Sequence, residues 1–182
     1  MKVLIWSSSI AALKFTEVLF RDHMISIIVS LVLVFIVTAI GFRSIFLGGM
    51  CLLPMMIGIL VIFAYLALSG VTLDALTMMF SSVAVGAGVD YAVHVIVGFN
   101  QRVSRIDGGV KGAIVATMVT SGRAIVINTV SLSLGMLILS ISSFLPLAKL
   151  GILLAAAIVA AAIGSLVVLP ALLSYRKIRA LP

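Results

Sequence analysis

Long apolar blocks separated by short polar breaks run through this chain of 182 residues. The blocks occupy 24–40, 46–68, the stretch from just after Asp74 to near Asn100, 122–142 and 146–173. A helix crossing about 30 Å of hydrocarbon needs roughly 17–25 mostly apolar residues, and each block meets that length. In lipid the backbone N–H and C=O groups must be satisfied inside the segment, so each block predicts a helix. A membrane β-barrel would instead alternate apolar and polar positions over strands of about ten residues, and 151–173 does not alternate. The predicted fold class is all-α: a polytopic membrane helix bundle with five transmembrane helices plus short interfacial helices.

The segments between the blocks add detail. Ser9 ahead of Ile10, Leu13 and the Lys14/Glu17 pair predicts a short capped amphipathic helix at the outer interface, feeding the first span. The apolar run after Lys2 is too short for the core of a signal peptide. Between the third and fourth spans, Arg102, Arg105 and Lys111 are polar, Asp107-Gly108-Gly109 reads as a turn, and 113–119 is apolar. That pattern suits an amphipathic helix on the cytoplasmic surface running into span four; for its first half an ordinary basic loop fits equally. Three regions follow: an N-terminal interfacial and extracytoplasmic segment over 1–23, a membrane domain over 24–175, and a basic cytoplasmic tail over 176–182.

Composition supports the membrane reading. The chain is 64% hydrophobic and 9% charged, against about half and a quarter in soluble domains. The net charge of +7 does not predict nucleic-acid binding, because the basic residues sit at the ends of apolar blocks. There they orient helices. Arg43, Arg102, Arg105, Lys111, Arg123, Arg176, Lys177 and Arg179 fall on one side, and Lys2, Lys14, Arg21 and Lys149 on the other. Eight against four places the C-terminus in the cytoplasm and the N-terminus outside. Cys51 is the sole cysteine, so no intrachain disulfide forms and no set of cysteine ligands exists.

The residue with most chemical content is Asp90, deep inside the third block. A carboxylate near the bilayer midplane costs about 2.5–3.5 kcal/mol even on insertion scales, and such groups face a protein or water-filled interior and relay protons. Removal from water favours the protonated form of a carboxyl group, which brings proton exchange within reach of physiological pH. A structural aspartate bonded to a neighbouring helix is the plainer alternative. Gly86, Asp90 and His94 are spaced four apart and share a helix face, which Ser82 extends. With Gly88 nearby, small residues around the aspartate would let another helix approach closely. Tyr91 lies about 100° around from Asp90 and joins a polar network only if the interior is wide. His94 is either a proton acceptor on the cytoplasmic side or a histidine at the headgroup boundary. On span four, Asn128 and Thr129 are the candidate polar partners of Asp90; interhelical hydrogen bonding alone would also explain them.

Other chemistries fail on spacing. Gly86-Ala87-Gly88 lacks the third glycine and the strand–helix setting of a dinucleotide fold. An intramembrane aspartyl protease needs a second deep aspartate, whereas Asp74 sits at a span end and Asp107 in a loop. Methionines 50, 55, 56, 78 and 79 have no Cys/His neighbours in sequence and read as packing residues. No metal, cofactor or enzymatic activity is predicted.

The run Gly86-Ala87-Gly88-Val89-Asp90-Tyr91-Ala92-Val93-His94 resembles the Gly-x-Gly-x-Asp-Tyr helix of the resistance–nodulation–division (RND) superfamily. Its MMPL branch, related to Patched and sterol-sensing-domain proteins, is the most similar. Phe42-Arg43-Ser44, Gly122-Arg123-Ala124-Ile125, Gly135 followed by 140–146, and Leu169-Pro170-Ala171-Leu172-Leu173 match in order and spacing, from about residue 24 to 175. The resemblance implies export of lipids or hydrophobic compounds driven by the proton-motive force, in the plasma (inner) membrane. It implies a relay role for Asp90 and Tyr91, because the family pairs this Asp-Tyr with an equivalent in a second half. It further implies twelve spans and two large extracytoplasmic domains in a complete member. The chain is accordingly expected to be half of a split transporter, a truncated product or a fragment. Its expected partners are membrane lipids, protons, a hydrophobic substrate, and a second transporter half or another copy of itself. The rival readings are an accessory protein that senses sterol-like lipid without moving it, and a membrane enzyme, for which no second catalytic group is found.

Overall fold

The computed structural model describes the backbone of residues 2–69, 75–105 and 109–175, and the side chains of residues 14, 17–68, 86, 88–105 and 109–174. The chain is an all-α membrane bundle, with helices only among the described residues. It has five long helical rods. The first is α1, Lys2–Gly41; the second is α2, Ile45–Ser69; the third is α3, Ala75–Val103. The fourth joins α4, Gly109–Thr117, through a π-helical turn at Met118–Gly122 to α5, Arg123–Ile138, and ends in a 3-10 turn at Leu139–Ile141. The fifth joins α6, Leu145–Ile163, through a π turn at Gly164–Val168 to α7, Leu169–Tyr175. By length and composition, Glu17–Gly41, Ile45–Leu68, Gly109–Ile141 and Leu145–Ser174 can each cross a membrane. At 29 residues, α3 is about 43 Å long, enough for the hydrocarbon core.

Two expected boundaries shift. The interfacial helix and the first span are one unbroken element: α1 has 40 residues, about 60 Å and twice the hydrocarbon thickness. Nothing in its sequence stops a helix, since Pro and Gly are absent until Gly41. The apolar stretch ahead of span four runs into it without a break, as its pattern suggested, giving one rod of 33 residues. Span three also runs on to Val103, past the expected end near Asn100. The Asp107-Gly108 part of the expected turn, Asp74, the side chain of Ser82 and the tail 176–182 lie outside the described residues.

The first turn is built by its own sequence. Helix α1 ends with Arg43 in a left-handed conformation, φ 48°. The Ser44 N–H bonds back to the Ala39 carbonyl at 3.1 Å, closing the helix end as in a Schellman cap. Ser44 Oγ then accepts from the Leu47 N–H at 3.4 Å, capping the start of α2.

Helix α2 is the central post, packed by α1, α3 and α6. In lipid, helices associate through close van der Waals packing of small residues rather than a hydrophobic drive. Glycines mark those contacts. A Cβ on Gly48 would sit 2.9 Å from Ala39 of α1, and one on Gly88 of α3 would sit 2.9 Å from Met55 Cα. A Cβ on Gly164 would reach 2.8 Å from Ile57 Cδ1 and 3.3 Å from Pro54 Cα. Pro54 lies inside α2 and is buried, so the proline segment is where two other rods come closest. The main core joins Leu47, Met50 and Cys51 of α2 to Tyr91, Val95 and Phe99 of α3 and to Ile158 and Ala161 of α6.

The π turns are local widenings with identifiable partners. Thr117 Oγ1 donates to the Ala113 carbonyl at 2.7 Å, and Thr120 Oγ1 to the Ala116 carbonyl at 3.0 Å. These hydroxyls serve carbonyls beside the turn, where the i→i−4 ladder is interrupted. The two turns meet: a Cβ on Gly122 would lie 3.5 Å from Leu166 Cδ2.

Candidate functional site

Helix α3 has two unlike faces. Tyr91, Ala92, Val95, Ile96 and Phe99 are buried in the core. Gly86, Asp90, His94 and Gln101 are exposed, and 90, 94, 97 and 101 follow the i, i+4, i+7, i+11 spacing of one helical stripe. Asp90 therefore lies on the open side of the bundle that this chain builds, not inside it.

That stripe forms one wall of a polar cleft of about 500 Å³. The opposite wall comes from the fourth rod: Thr120 and Ser121 of the π turn, then Ala124, Ile125 and Asn128 of α5. Arg102 lines the cleft as well, and its Nη1 donates to the Gly98 carbonyl at 2.9 Å. The walls meet at Gly98, where a Cβ would be 2.7 Å from Ser121 Oγ and 3.0 Å from Thr117 Cγ2. Gly98 thus sets the width of the cleft where α3 meets the fourth rod.

The site residues expected from sequence separate into groups. Asp90, Tyr91, His94 and Asn128 all line the polar cleft. Tyr91 is 2% exposed, and its hydroxyl has no hydrogen-bond partner among the described residues. The two glycines divide: Gly88 packs on α2, while among the described residues nothing lies within 4 Å of a Cβ on Gly86. Thr129, expected beside Asp90 as a polar partner, instead lines a separate apolar cleft between α5 and the fifth rod. One residue of helix is about 100° of rotation, which turns Thr129 away from Asn128. Gln101, Arg102, Thr120 and Ser121 were not expected at the site. The stripe spacing from Asp90 to Gln101 was the available signal, provided that α3 runs on past Asn100.

Chemically, the cleft gathers one carboxyl group, one imidazole, one guanidinium and several neutral hydrogen-bonding groups along a membrane-spanning helix. Such a set can exchange protons and order water. Among the described residues no cluster of His, Cys, Asp and Glu is placed to hold a metal ion.

Comparison with known proteins yields a family. No curated protein and no solved structure matches the chain. The profile of the MMPL family matches residues 2–178, which takes in all five helical rods and the Asp90 stripe. The chain belongs to the MMPL family.

Proposed function

We propose that this chain is the membrane part of a proton-motive-force-driven exporter of lipids or other hydrophobic compounds, in the plasma (inner) membrane, and that it works with a second transporter half. Family membership suggests a membrane-transporter-related role. The observation that carries the finer reading is Asp90, exposed into the polar cleft from the middle of a helix long enough to span the bilayer.

The mechanism follows from desolvation. With the cleft open and wet, the Asp90 carboxylate keeps its hydration. Closing a neighbouring helix over it removes water, and the ionised form then becomes costly. Only the protonated carboxyl is compatible with closure, so proton occupancy biases a two-state equilibrium. His94, one turn further along the stripe, and Tyr91, beside it, would pass the proton on. A proton taken up on one side and released on the other makes the cycle directional.

Asp90→Asn keeps the size and most of the hydrogen bonding of the side chain but removes ionisation. In the assembled transporter, proton-driven efflux is expected to fall at least tenfold, to the level of an empty vector, with membrane insertion unchanged. Efflux that survives the change would overturn the relay and favour a lipid-sensing protein, which has no need of the charge.

Orientation is tested separately. With Cys51 replaced by serine, single cysteines at Ser8 and Ser174 are expected to react with an impermeant maleimide from opposite sides of intact cells. The charge bias places Ser8 outside. Labelling of both from one side would mean an even number of crossings.

A further inference from the structure

We propose that the end of the polar cleft beside Gly98 binds a phosphate group, carried by an anionic lipid headgroup or free in solution. This site lies at the opposite end of the cleft from Asp90 and does not rest on the relay. It begins with a notch. Because Gly98 has no side chain, α3 approaches the fourth rod closely, and two hydrogen-bond donors converge on one point of the helix. The position of a Cβ on Gly98 is 2.7 Å from Ser121 Oγ and 3.2 Å from Arg102 Nη1. The hydroxyl and the guanidinium come from different rods, and both residues line the cleft. An oxyanion in the cleft in front of Gly98 can accept from both.

Arg102 is a cation without an anion. Its Nη1 donates to the Gly98 carbonyl at 2.9 Å, which folds the side chain back along its own helix and holds the head, half-buried, at the level of Gly98. A guanidinium carries five N–H donors, so that bond leaves most of them for another partner. Among the described residues no carboxylate lies within ion-pair distance of it; the one such pair is Arg21 with Asp22. The sequence offers little else. After Asp90 the only acidic residue is Asp107, outside the described residues, against Arg102, Arg105, Lys111 and Arg123 at the same end of the bundle. Asp90 is eight residues from Gly98, about 12 Å along the helix. The neighbouring hydroxyls also differ. Thr117 and Thr120 donate their protons to carbonyls one turn back, whereas the Ser121 hydroxyl makes no bond to a described residue.

Chemistry and depth select the ligand. The guanidinium, the Ser121 hydroxyl and the amide of Gln101, which also lines the cleft, are all donors. Together they match a group with several acceptor oxygens and one negative charge, as in a phosphodiester. The planar fork of arginine suits such a group because it gives paired, charge-assisted bonds. Gly98 stands five residues before the end of α3 at Val103, about 7.5 Å along the helix, and Ser121 stands two residues before Arg123. At that level hydrocarbon gives way to headgroups, and the charge bias assigns it to the cytoplasmic side. Basic pockets between membrane helices on that side recognise lipid phosphates.

The test uses the full chain in a maltoside detergent and three probes: phosphatidylglycerol, diacylglycerol with the same acyl chains, and inorganic phosphate. Native mass spectrometry counts bound lipid, and melting is followed with each probe. Phosphatidylglycerol is expected to bind at least five-fold more than diacylglycerol and to raise the melting temperature. Arg102→Gln and Ser121→Ala should each lower that binding at least three-fold. Arg105→Gln removes an equal charge from an exposed position at the same end and should leave it unchanged. A rise in melting temperature with inorganic phosphate that depends on Arg102 would make free phosphate a ligand of the site; a rise with the lipid alone would make the ligand a headgroup. Equal binding of the two lipids, equal losses in Arg102→Gln and Arg105→Gln, or binding that ignores both Arg102→Gln and Ser121→Ala would each overturn the site. So would binding that emerges only after Asp107→Asn, since Asp107 would then be the counter-ion of Arg102. Melting of each variant without ligand, unchanged from the parent, separates lost binding from lost folding. Where Arg102→Gln fails to fold, Ser121→Ala against Arg105→Gln carries the same comparison.

Discussion

Gly88→Leu is expected to prevent α3 from packing on α2, whereas Gly86→Leu is expected to leave the packing of this chain intact. The two glycines are two residues apart on one helix, so they point about 200° away from each other. A Cβ on Gly88 would stand 2.9 Å from Met55 Cα and 3.0 Å from Met55 N. Those are backbone atoms of a buried helix segment beside Pro54, and they cannot rotate aside as a side chain would. Even Gly88→Ala forces the two helices apart, at a cost of about 1–3 kcal/mol for overpacking, and leucine adds more. In a bilayer this loss is not offset by a hydrophobic gain, because lipid tails solvate separated helices as well as each other's side chains. Among the described residues, nothing stands within 4 Å of where a Cβ on Gly86 would go. The expected readout in mild detergent is a monodisperse, parent-like melting profile for Gly86→Leu and aggregation or a strongly lowered melting temperature for Gly88→Leu. Identical melting of the two variants would show that α3 is rotated from the placement described. In the assembled exporter, Gly86→Leu is expected to abolish transport without unfolding, because Gly86 shares the exposed stripe with Asp90 and leucine there would hold a partner helix away.

This pair of residues also marks where sequence reasoning ran out. Apolar blocks of membrane-spanning length made the helices legible, because lipid leaves the backbone few alternatives to a helix. Four-residue spacing made the Asp90–His94 stripe legible, because periodicity fixes which residues share a face. Periodicity does not fix which neighbour a face meets. Gly86 and Gly88 look alike in sequence, and only the position of α2 tells that Gly88 is the contact. Asn128 and Thr129 are adjacent and similar in polarity, yet one lines the polar cleft and the other the apolar one. The π turns at Met118–Gly122 and Gly164–Val168 have no composition signal of their own. Each adds about one residue to a turn, so the stripe on the far side of it is re-aimed. That shift is invisible to a count in steps of three and four.

Tyr91→Phe is expected to split stability from transport. The hydroxyl of Tyr91 is buried and has no partner among the described residues, and the residue is 2% exposed. A buried polar group left unpaired costs about 1–3 kcal/mol, and replacing it by an apolar group of the same shape is neutral or stabilising. The isolated chain should therefore unfold at the same or a slightly higher temperature after the change. The ring itself packs in the main core with Ala92, Ile125 and Ile158, and phenylalanine keeps that contact. In the assembled exporter the expectation reverses. If the hydroxyl serves as a stepping point beside Asp90, along the cleft that both residues line, removing it should cut proton-driven efflux at least tenfold, about 1.4 kcal/mol at the transition state. Measurement of melting in detergent and of efflux in cells, on the same variant, gives the comparison. A loss of more than about 1 kcal/mol in the isolated chain would mean that the hydroxyl is bonded within the bundle. Parent-level efflux would remove Tyr91 from the relay while leaving Asp90 in it, because the Asp90→Asn experiment depends only on the charge. Lower efflux together with unchanged melting is the outcome that assigns the hydroxyl to the relay.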